Sequence, residues 1–481
     1  METLNASVLH TFPRVDEAKL DALLAAELAR DRTRLVVLDD DPTGVQTVHD
    51  VSVYTDWTID SVRAGFAEEN KVFYILTNSR GMTVGETTAA HREIAAAVAA
   101  ASKECGKPYL FLSRSDSTLR GHYPLETELL REGMEASGLR VDGEIIAPFF
   151  KEGGRFTIGN VHYVLQGGEL VPAAQTEFAR DKTFGYTKSA IPEYVEEKTG
   201  GAYKAADVTC ISLDSLRAVD IDGVEAQLMA VKDFGKVCLN AVEDCDLKVF
   251  CVALYRAMAK GKRFLFRTAA GLVKVMGGIS DRPLLTRRDM VVRETGMGGV
   301  VVVGSHTQKT TAQLSELLRL DCVVPVEFNS DAVLDGDEAF YAEVDRCVRA
   351  EEEIIRTGKT AVCYTHRTLL TLPDDTPESA LVRSVKISDG VQSLVARLGV
   401  TPAFVIAKGG ITSSDVGVKA LAVKRANVMG QIRPGIPVWQ TGAESRFPQM
   451  PYVIFPGNTG GETTLREAVE ILTGRSGAGY D

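Results

Sequence analysis

Val36-Val37-Leu38-Asp39-Asp40-Asp41-Pro42-Thr43-Gly44 joins a hydrophobic run to three successive carboxylates and then to a turn. Leu35 to Leu38 is a short, unbroken apolar run, the pattern of a parallel strand buried on both faces. Three adjacent aspartates cannot lie inside a sheet core, because desolvating an unpaired carboxylate is too costly. They must emerge where the strand ends, and Pro42 and Gly44 turn the chain there. In open α/β sheets ligands bind at that edge, outside the carboxyl ends of the strands. One aspartate at such a place would read as a helix cap; three point to a cleft lined by functional acids.

The chain around this stretch has 481 residues, more than one hydrophobic core usually supports, so two or more domains are expected. An apolar content of 45% with 25% charged residues is that of a soluble globular protein. A net charge of −11, with basic residues scattered rather than striped, argues against a nucleic-acid surface. An acidic protein that takes an anionic substrate must concentrate arginine, lysine, backbone N–H groups or a cation at the site. The eight cysteines form no CxxC pair and read as reduced thiols of a cytoplasmic protein. The seven histidines form no HxH or HxxxH pair, so a histidine-rich metal site has no support. No signal-peptide pattern opens the chain and no apolar run approaches a membrane span, so neither a membrane nor a nucleic acid is expected as partner. A homodimer is left open.

Polar strand ends recur along the first half. Val72-Phe73-Tyr74-Ile75-Leu76 runs into Thr77-Asn78-Ser79-Arg80-Gly81, and Tyr109-Leu110-Phe111-Leu112 into Ser113-Arg114-Ser115-Asp116-Ser117-Thr118-Leu119-Arg120-Gly121. Helical patterns separate these strands, at Val15–Arg30, Glu86–Cys105 and about Pro124–Met134, and a fourth strand follows at Glu144–Pro148. Alternation of this kind predicts a doubly wound parallel sheet with its polar strand ends on one rim. Asp39–Asp41, Asn78–Arg80 and Asp116–Arg120 are therefore expected in a shared cleft. Residues 149–190 are glycine-rich, with Arg155 and His162 among the glycines, and read as a functional loop or hairpin. Strands resume near Val208–Ser212, Lys236–Asn240 and Arg263–Arg267, and the charged run Pro283–Arg293 reads as a linker.

The second half restarts at Gly298–Thr307, where Val300 to Val303 leads into Gly304-Ser305-His306. Two further glycine turns, Lys408-Gly409-Gly410-Ile411-Thr412 and Pro456-Gly457-Asn458-Thr459-Gly460-Gly461, follow apolar strands and precede helices expected near Ser414 and Glu462. Such turns let backbone N–H groups approach phosphates at a helix N-terminus, and three in one domain favour a nucleotide. Gly304 to Thr310 fails the GxxxxGK[ST] phosphate-loop template, because Gln308 stands at the second glycine. No GxGxxG follows a strand, so a dinucleotide fingerprint is missing. The expected architecture is α/β: two doubly wound domains, 1–285 and 286–481, with mostly parallel sheets facing across a cleft.

The acidic stretch resembles two families. Val36 to Thr43 is similar to the haloacid-dehalogenase-type phosphatase pattern D-x-D-x-T, with Asp39, Asp41 and Thr43 in place. That resemblance implies an aspartyl nucleophile at Asp39, an acid/base at Asp41 and bound magnesium. It lacks a downstream lysine and acidic pair and leaves the glycine-rich half without a role. Asp40-Asp41-Pro42-Thr43-Gly44, Asp116-Ser117-Thr118-Leu119-Arg120-Gly121, Ala147-Pro148-Phe149 and Gly154-Arg155 resemble the four-carbon acid sugar kinase family. Gly304-Ser305, Gly409-Gly410-Ile411-Thr412 and Gly457-Asn458-Thr459-Gly460 resemble its nucleotide-binding motifs. The resemblance runs from about residue 33 to 472. Pro42 replaces the usual leucine, Val45-Gln46-Thr47 the usual A-N-D, and Ile411 the usual glutamate.

This second resemblance implies an ATP-dependent kinase that phosphorylates a hydroxyl of threonate, erythronate or a 3-oxo-tetronate. An N-terminal domain would take the acid and a C-terminal domain ATP with Mg2+. Ser305, Gly409, Gly410, Ile411, Thr412, Gly457 and Asn458 would contact ATP. Asp40, Asn78, Arg80, Asp116, Thr118, Arg120 and Arg155 would bind substrate, Arg80 and Arg120 gripping its carboxylate. Asp41 would take the proton of the attacking hydroxyl, and domain closure would exclude water. No protein metal ligand is expected, since magnesium would come with the phosphates. A non-catalytic sugar-acid-binding regulator is the third reading.

Overall fold

A computed structural model describes residues 2–368 and 370–475, which form two compact units divided between Asp281 and Arg282. The first is organised around the strand Arg34–Asp39, all six residues of which are buried. It pairs in parallel with Val72–Leu76 on one side and Tyr109–Arg114 on the other. Outward from Tyr109–Arg114 the sheet continues through Phe264–Thr268, Gly143–Ala147, Gly235–Leu239 and Thr209–Ile211, all parallel. Outward from Val72–Leu76 lies the short parallel strand Val51–Tyr54, which the sequence reading did not anticipate. The alternation of strand and helix is that of a doubly wound sheet. Both faces are covered, which is why the strands read as unbroken apolar runs. Helix Val84–Cys105 begins at a Thr83–Glu86 capping box, ends at the left-handed Gly106, and seats Ile94, Ala95 and Val98 with Phe73 and Phe111.

The glycine-rich stretch after residue 149 folds into antiparallel hairpins. Arg155–Ile158, Val161–Gln166 and Glu169–Pro172 form a small sheet that Leu4–Asn5 completes.

In the second unit the parallel strands run in the order Pro451–Phe455, Val405–Lys408, Val300–Val303, Thr360–Thr365, Val323–Phe328. An antiparallel hairpin, Arg425–Arg433 with Ile436–Thr441, extends the sheet beyond Pro451–Phe455. The charged run after Pro283 is not a free linker. Leu285 and Met290 are buried in the second unit's core, and Thr286 caps the short helix Arg287–Met290. Its apolar residues, too sparse to form a pattern, outweigh its charges once packed. Helix Gly410–Asp415 begins four residues earlier than expected, directly after Gly409 at φ 120°. Helix Thr464–Thr473 closes this part of the unit. No described helix is long and apolar enough to cross a membrane, and all eight cysteines are free.

Candidate functional site

Parallel pairing on both sides of Arg34–Asp39 places three polar strand ends next to one another, and their side chains interlock. Arg80 is the hub: one Nη pairs with Asp41 and lies 3.7 Å from Asp40 Oδ1, and the other is 3.4 Å from Asp116 Oδ1. Arg120 Nε donates to Asp116 Oδ2 at 2.8 Å, and the Thr118 hydroxyl donates to the same oxygen. Thr43 donates its amide and its hydroxyl to Asp41 Oδ1, at 2.8 and 2.5 Å. Beneath them the buried Arg114 reaches Asp39 at 3.3 Å and Asp40 at 3.6 Å. Asp40 Oδ2 accepts the amide of Asp116 at 3.2 Å, while Oδ1, though buried, makes no hydrogen bond.

Burial and the arginines divide the acids into two kinds. Burial pushes Asp39 up to about 8 against the pull of Arg114, and Asp40 up to about 6 against Arg80 and Arg114. Asp41 is half-buried and Asp116 buried, but Arg80 together with hydrogen bonds, from Thr43 in one case and from Arg120 and Thr118 in the other, outweighs their desolvation. Both therefore stay below the usual carboxylate range. Near neutral pH the cleft thus holds two firmly ionised carboxylates, one neutral acid and one that titrates between them.

Asp39, the nucleophile of the phosphatase reading, is only 1% exposed. A Cβ on Gly44 would stand 2.0 Å from both its carboxylate oxygens, so the turn lies directly against it. That carboxyl has no open face for a phosphate ester. Asn78 occupies the left-handed turn after its strand, at φ 59°. Arg155 and Arg120 both lie over the Phe178 ring, at 5.5 and 5.1 Å, so the hairpin sheet brings Arg155 beside the cleft. Arg114 and Arg267 were not singled out from sequence. Each is a basic residue at the end of an apolar strand, and that was the available signal.

In the second unit the turns after Val300–Val303, Val405–Lys408 and Pro451–Phe455 come from adjacent parallel strands and converge on Ser305. A Cβ on Gly409 would be 3.3 Å from Ser305 Cβ, and one on Gly457 3.8 Å from Ser305 Oγ. A Cβ on Gly304 would overlap Thr412 Oγ1 at 2.4 Å. Thr310 Oγ1 donates to Ser305 Oγ at 3.2 Å, and Lys309 donates to the carbonyl of Asn458 at 3.2 Å. Gly410 starts the short helix, Thr412 is buried, and Ile411 is 75% exposed. Lys408, another residue missed from sequence, is fully buried and donates to the carbonyls of Pro456 and Gly457 at 2.6 and 3.1 Å. Burial, helped by Lys309, lowers it to about 7. A cavity of 370 Å³ adjoins these turns, lined by Gly304, Ser305 and Thr412 and by Ile387 and Val391.

The cleft does not fit a cation held by protein ligands alone. Its carboxylates are matched to guanidinium groups, and the described residues contain no group of three His, Cys, Asp or Glu side chains able to hold a metal.

Two parallel α/β units, one ending in an arginine-bridged acid cleft and the other in converging amide turns, define a small-molecule-binding protein with a nucleotide-binding half. Residues 35–276 match the sugar-binding N-terminal domain family and residues 300–465 the nucleotide-binding C-terminal domain family. The chain belongs to the family that joins these two domains, the four-carbon acid sugar kinase architecture. Among solved structures it is similar to a Salmonella typhimurium LT2 protein described as a "putative tRNA synthase", with TM-score 0.65 and 16% identity over 90% of this chain and 98% of that one. A Haemophilus influenzae protein of the DUF1537 family is similar with TM-score 0.60 and 16% identity over 91% of this chain and 100% of that one. At these identities the likeness is one of fold. No curated protein matches the chain.

Proposed function

We propose that this chain is an ATP-dependent kinase that phosphorylates a hydroxyl of a four-carbon sugar acid such as threonate, erythronate or a 3-oxo-tetronate. The observation that carries the reading is the convergence of three glycine turns on Ser305 in a chain whose other half is a sugar-binding domain. In this reading residues 1–285 take the acid and 286–481 the nucleotide. Amides of Gly410 and Gly457, with Ser305, Thr412 and Asn458, receive the phosphates, while Gly409, whose own amide donates to the Phe455 carbonyl at 2.9 Å, lets the backbone pass close to them. Lys408, lowered to about 7, adds a partial positive charge beneath them. Ile411, exposed and lining the cavity beside these turns, contributes an apolar contact there.

Arg80, Arg120 and Arg155 supply positive charge for the substrate carboxylate, and Asp116, Thr118 and Asn78 hold its hydroxyls. The base in this reading is Asp41. Its carboxylate, 20% exposed, is the one of the three adjacent aspartates that a substrate hydroxyl can reach, whereas Asp39 and Asp40 are sealed against Arg114. Asp41 takes the hydroxyl proton, the freed oxygen bonds to the γ-phosphorus, and the bond from that phosphorus to the bridging oxygen breaks to release ADP. Transfer requires reactive atoms in contact and water excluded.

The test is ATP consumption with a panel of four-carbon acids, the product identified by mass spectrometry. A phosphorylated acid formed in step with ADP supports the reading. Binding of the acids without turnover makes the chain a regulator, and release of phosphate from phospho-sugars without ATP makes it a phosphatase.

A further inference from the structure

The turn Asp116–Gly121 is held from behind by side chains from three distant segments, which together take four of its carbonyls. His162 Nε2 lies 2.8 Å from the carbonyl oxygen of Ser117, and Tyr186 donates its hydroxyl to that of Thr118 at 2.6 Å. Tyr194 donates to the carbonyl of Leu119 at 2.8 Å. Arg267 donates one Nη to the carbonyls of Leu119 and Arg120, at 3.1 and 3.0 Å. Four successive carbonyls are thus drawn to one side. In a trans peptide the following N–H points opposite to its carbonyl, so the amides of Thr118, Arg120 and Gly121 are turned the other way. Among the described residues none of these three amides has a hydrogen-bond acceptor, whereas the Leu119 amide is used within the turn, on the carbonyl of Asp116 at 3.1 Å. The turn is bent for this purpose: Leu119 is left-handed at φ 70° and Gly121 lies at φ 120°.

Arg267 gives the second, independent indication. It is 2% exposed, and no carboxylate among the described residues lies within ion-pairing distance. Its charge rests instead against the rings of Tyr123 at 5.0 Å and Tyr194 at 5.8 Å and on the two carbonyls. A buried guanidinium without a carboxylate partner is costly to keep, and here it places positive charge directly behind these amides.

We propose that the amides of Thr118, Arg120 and Gly121 form the seat for the carboxylate of the sugar acid, and that Arg267, Tyr186, Tyr194 and His162 are positioning residues that hold it open. This rests on the sugar-acid reading above and names which end of the substrate the turn receives. The side chains of Arg120 and Arg155 then close over the carboxylate from the Phe178 side.

Calorimetry on the full chain tests this without requiring turnover, with threonate and erythronate as probes, the uncharged tetritols as controls, and ADP as a second ligand. Tyr186→Phe and Arg267→Lys are expected to weaken acid binding at least fivefold, leave tetritol binding unchanged, and leave ADP affinity within twofold. Tyr194→Phe serves as the further variant should Arg267→Lys fold poorly. Acid affinity within twofold of wild type in the folded variants, even with a lowered melting temperature, overturns the seat while leaving the kinase reading intact. If wild type binds neither acid, the sugar-acid reading falls and the seat with it.

Discussion

Arg114 lies 3.3 Å from Asp39, and both side chains are sealed from water beneath the turn at Gly44. Because burial raises Asp39 to about 8, it is mostly protonated at neutral pH, and an amide reproduces its shape. Asp39→Asn is expected to keep kinase turnover within several-fold of wild type, whereas a phosphatase using this residue as nucleophile would lose all activity. Gly44→Ala, which drives a methyl into the same carboxylate, is expected to destabilise the fold by about 1–3 kcal/mol. Urea denaturation separates the two variants.

The pH dependence of stability follows from the same group. Asp39 and Asp40 bind a proton more tightly folded than unfolded, so their stabilisation is complete below about pH 4, the ordinary aspartate value. It is lost as pH rises through about 6 for Asp40 and about 8 for Asp39. Asp41 and Asp116, held low, act in the opposite sense and lose their stabilisation below about pH 4. Lys408 and His162, lowered to about 7 and about 4, act against this loss as pH rises, so the expected outcome is a difference: between pH 5 and pH 8 wild type should lose melting temperature relative to Asp39→Asn. An unchanged slope in that variant would show that Asp39 is not the titrating group.

Asp41 is held below the usual carboxylate range, so the base is already ionised and activity should be level with pH above about 5, one unit beyond the ordinary aspartate value. Asp41→Asn is expected to lower kcat by about 10²–10⁴-fold, the usual contribution of a general base. Asp40→Asn should act mainly on KM by loosening Arg80 and Arg114. If the two effects are reversed in steady-state kinetics and activity rises through about pH 6, the base is Asp40.

Lys408 joins two glycine turns through the carbonyls of Pro456 and Gly457. Lys408→Met should weaken ADP binding by about 10- to 100-fold, as expected for loss of a charge-assisted contact, and leave sugar-acid binding untouched. Titration with a fluorescent nucleotide reads this directly.

Gly409 and Gly457 separate backbone strain from simple contact. At φ 120° an alanine at 409 is strained, with an expected cost of about 1–3 kcal/mol. A Cβ at 457 meets Ser305 Oγ at an ordinary 3.8 Å, so Gly457→Ala should stay within about 0.5 kcal/mol of wild type. Thermal melts of the two variants provide the comparison.

What could be read from the residues alone was local. Leu35–Leu38 and Val300–Val303 announce buried parallel strands because apolar continuity is a property of a few neighbouring residues. Asp39–Asp41, Asn78–Arg80 and Asp116–Arg120 announce their rim positions because carboxylates and guanidiniums cannot stay in a sheet interior. The glycines at 304, 409 and 457 mark tight turns for the same kind of reason, a steric demand met within the turn and its neighbours. The hairpin Arg425–Arg433/Ile436–Thr441 leaves no pattern to read, and the packed segment at Leu285–Met290 reads as a linker, since their burial is decided by residues far away in sequence. Only the tertiary structure could decide which aspartate is neutral, which is sealed between two arginines, and which keeps a partly exposed carboxylate. Desolvation and charge pairing depend on Arg114, Arg267 and Lys408 being carried to particular places by strands and turns distant in the chain, and no local pattern encodes that meeting.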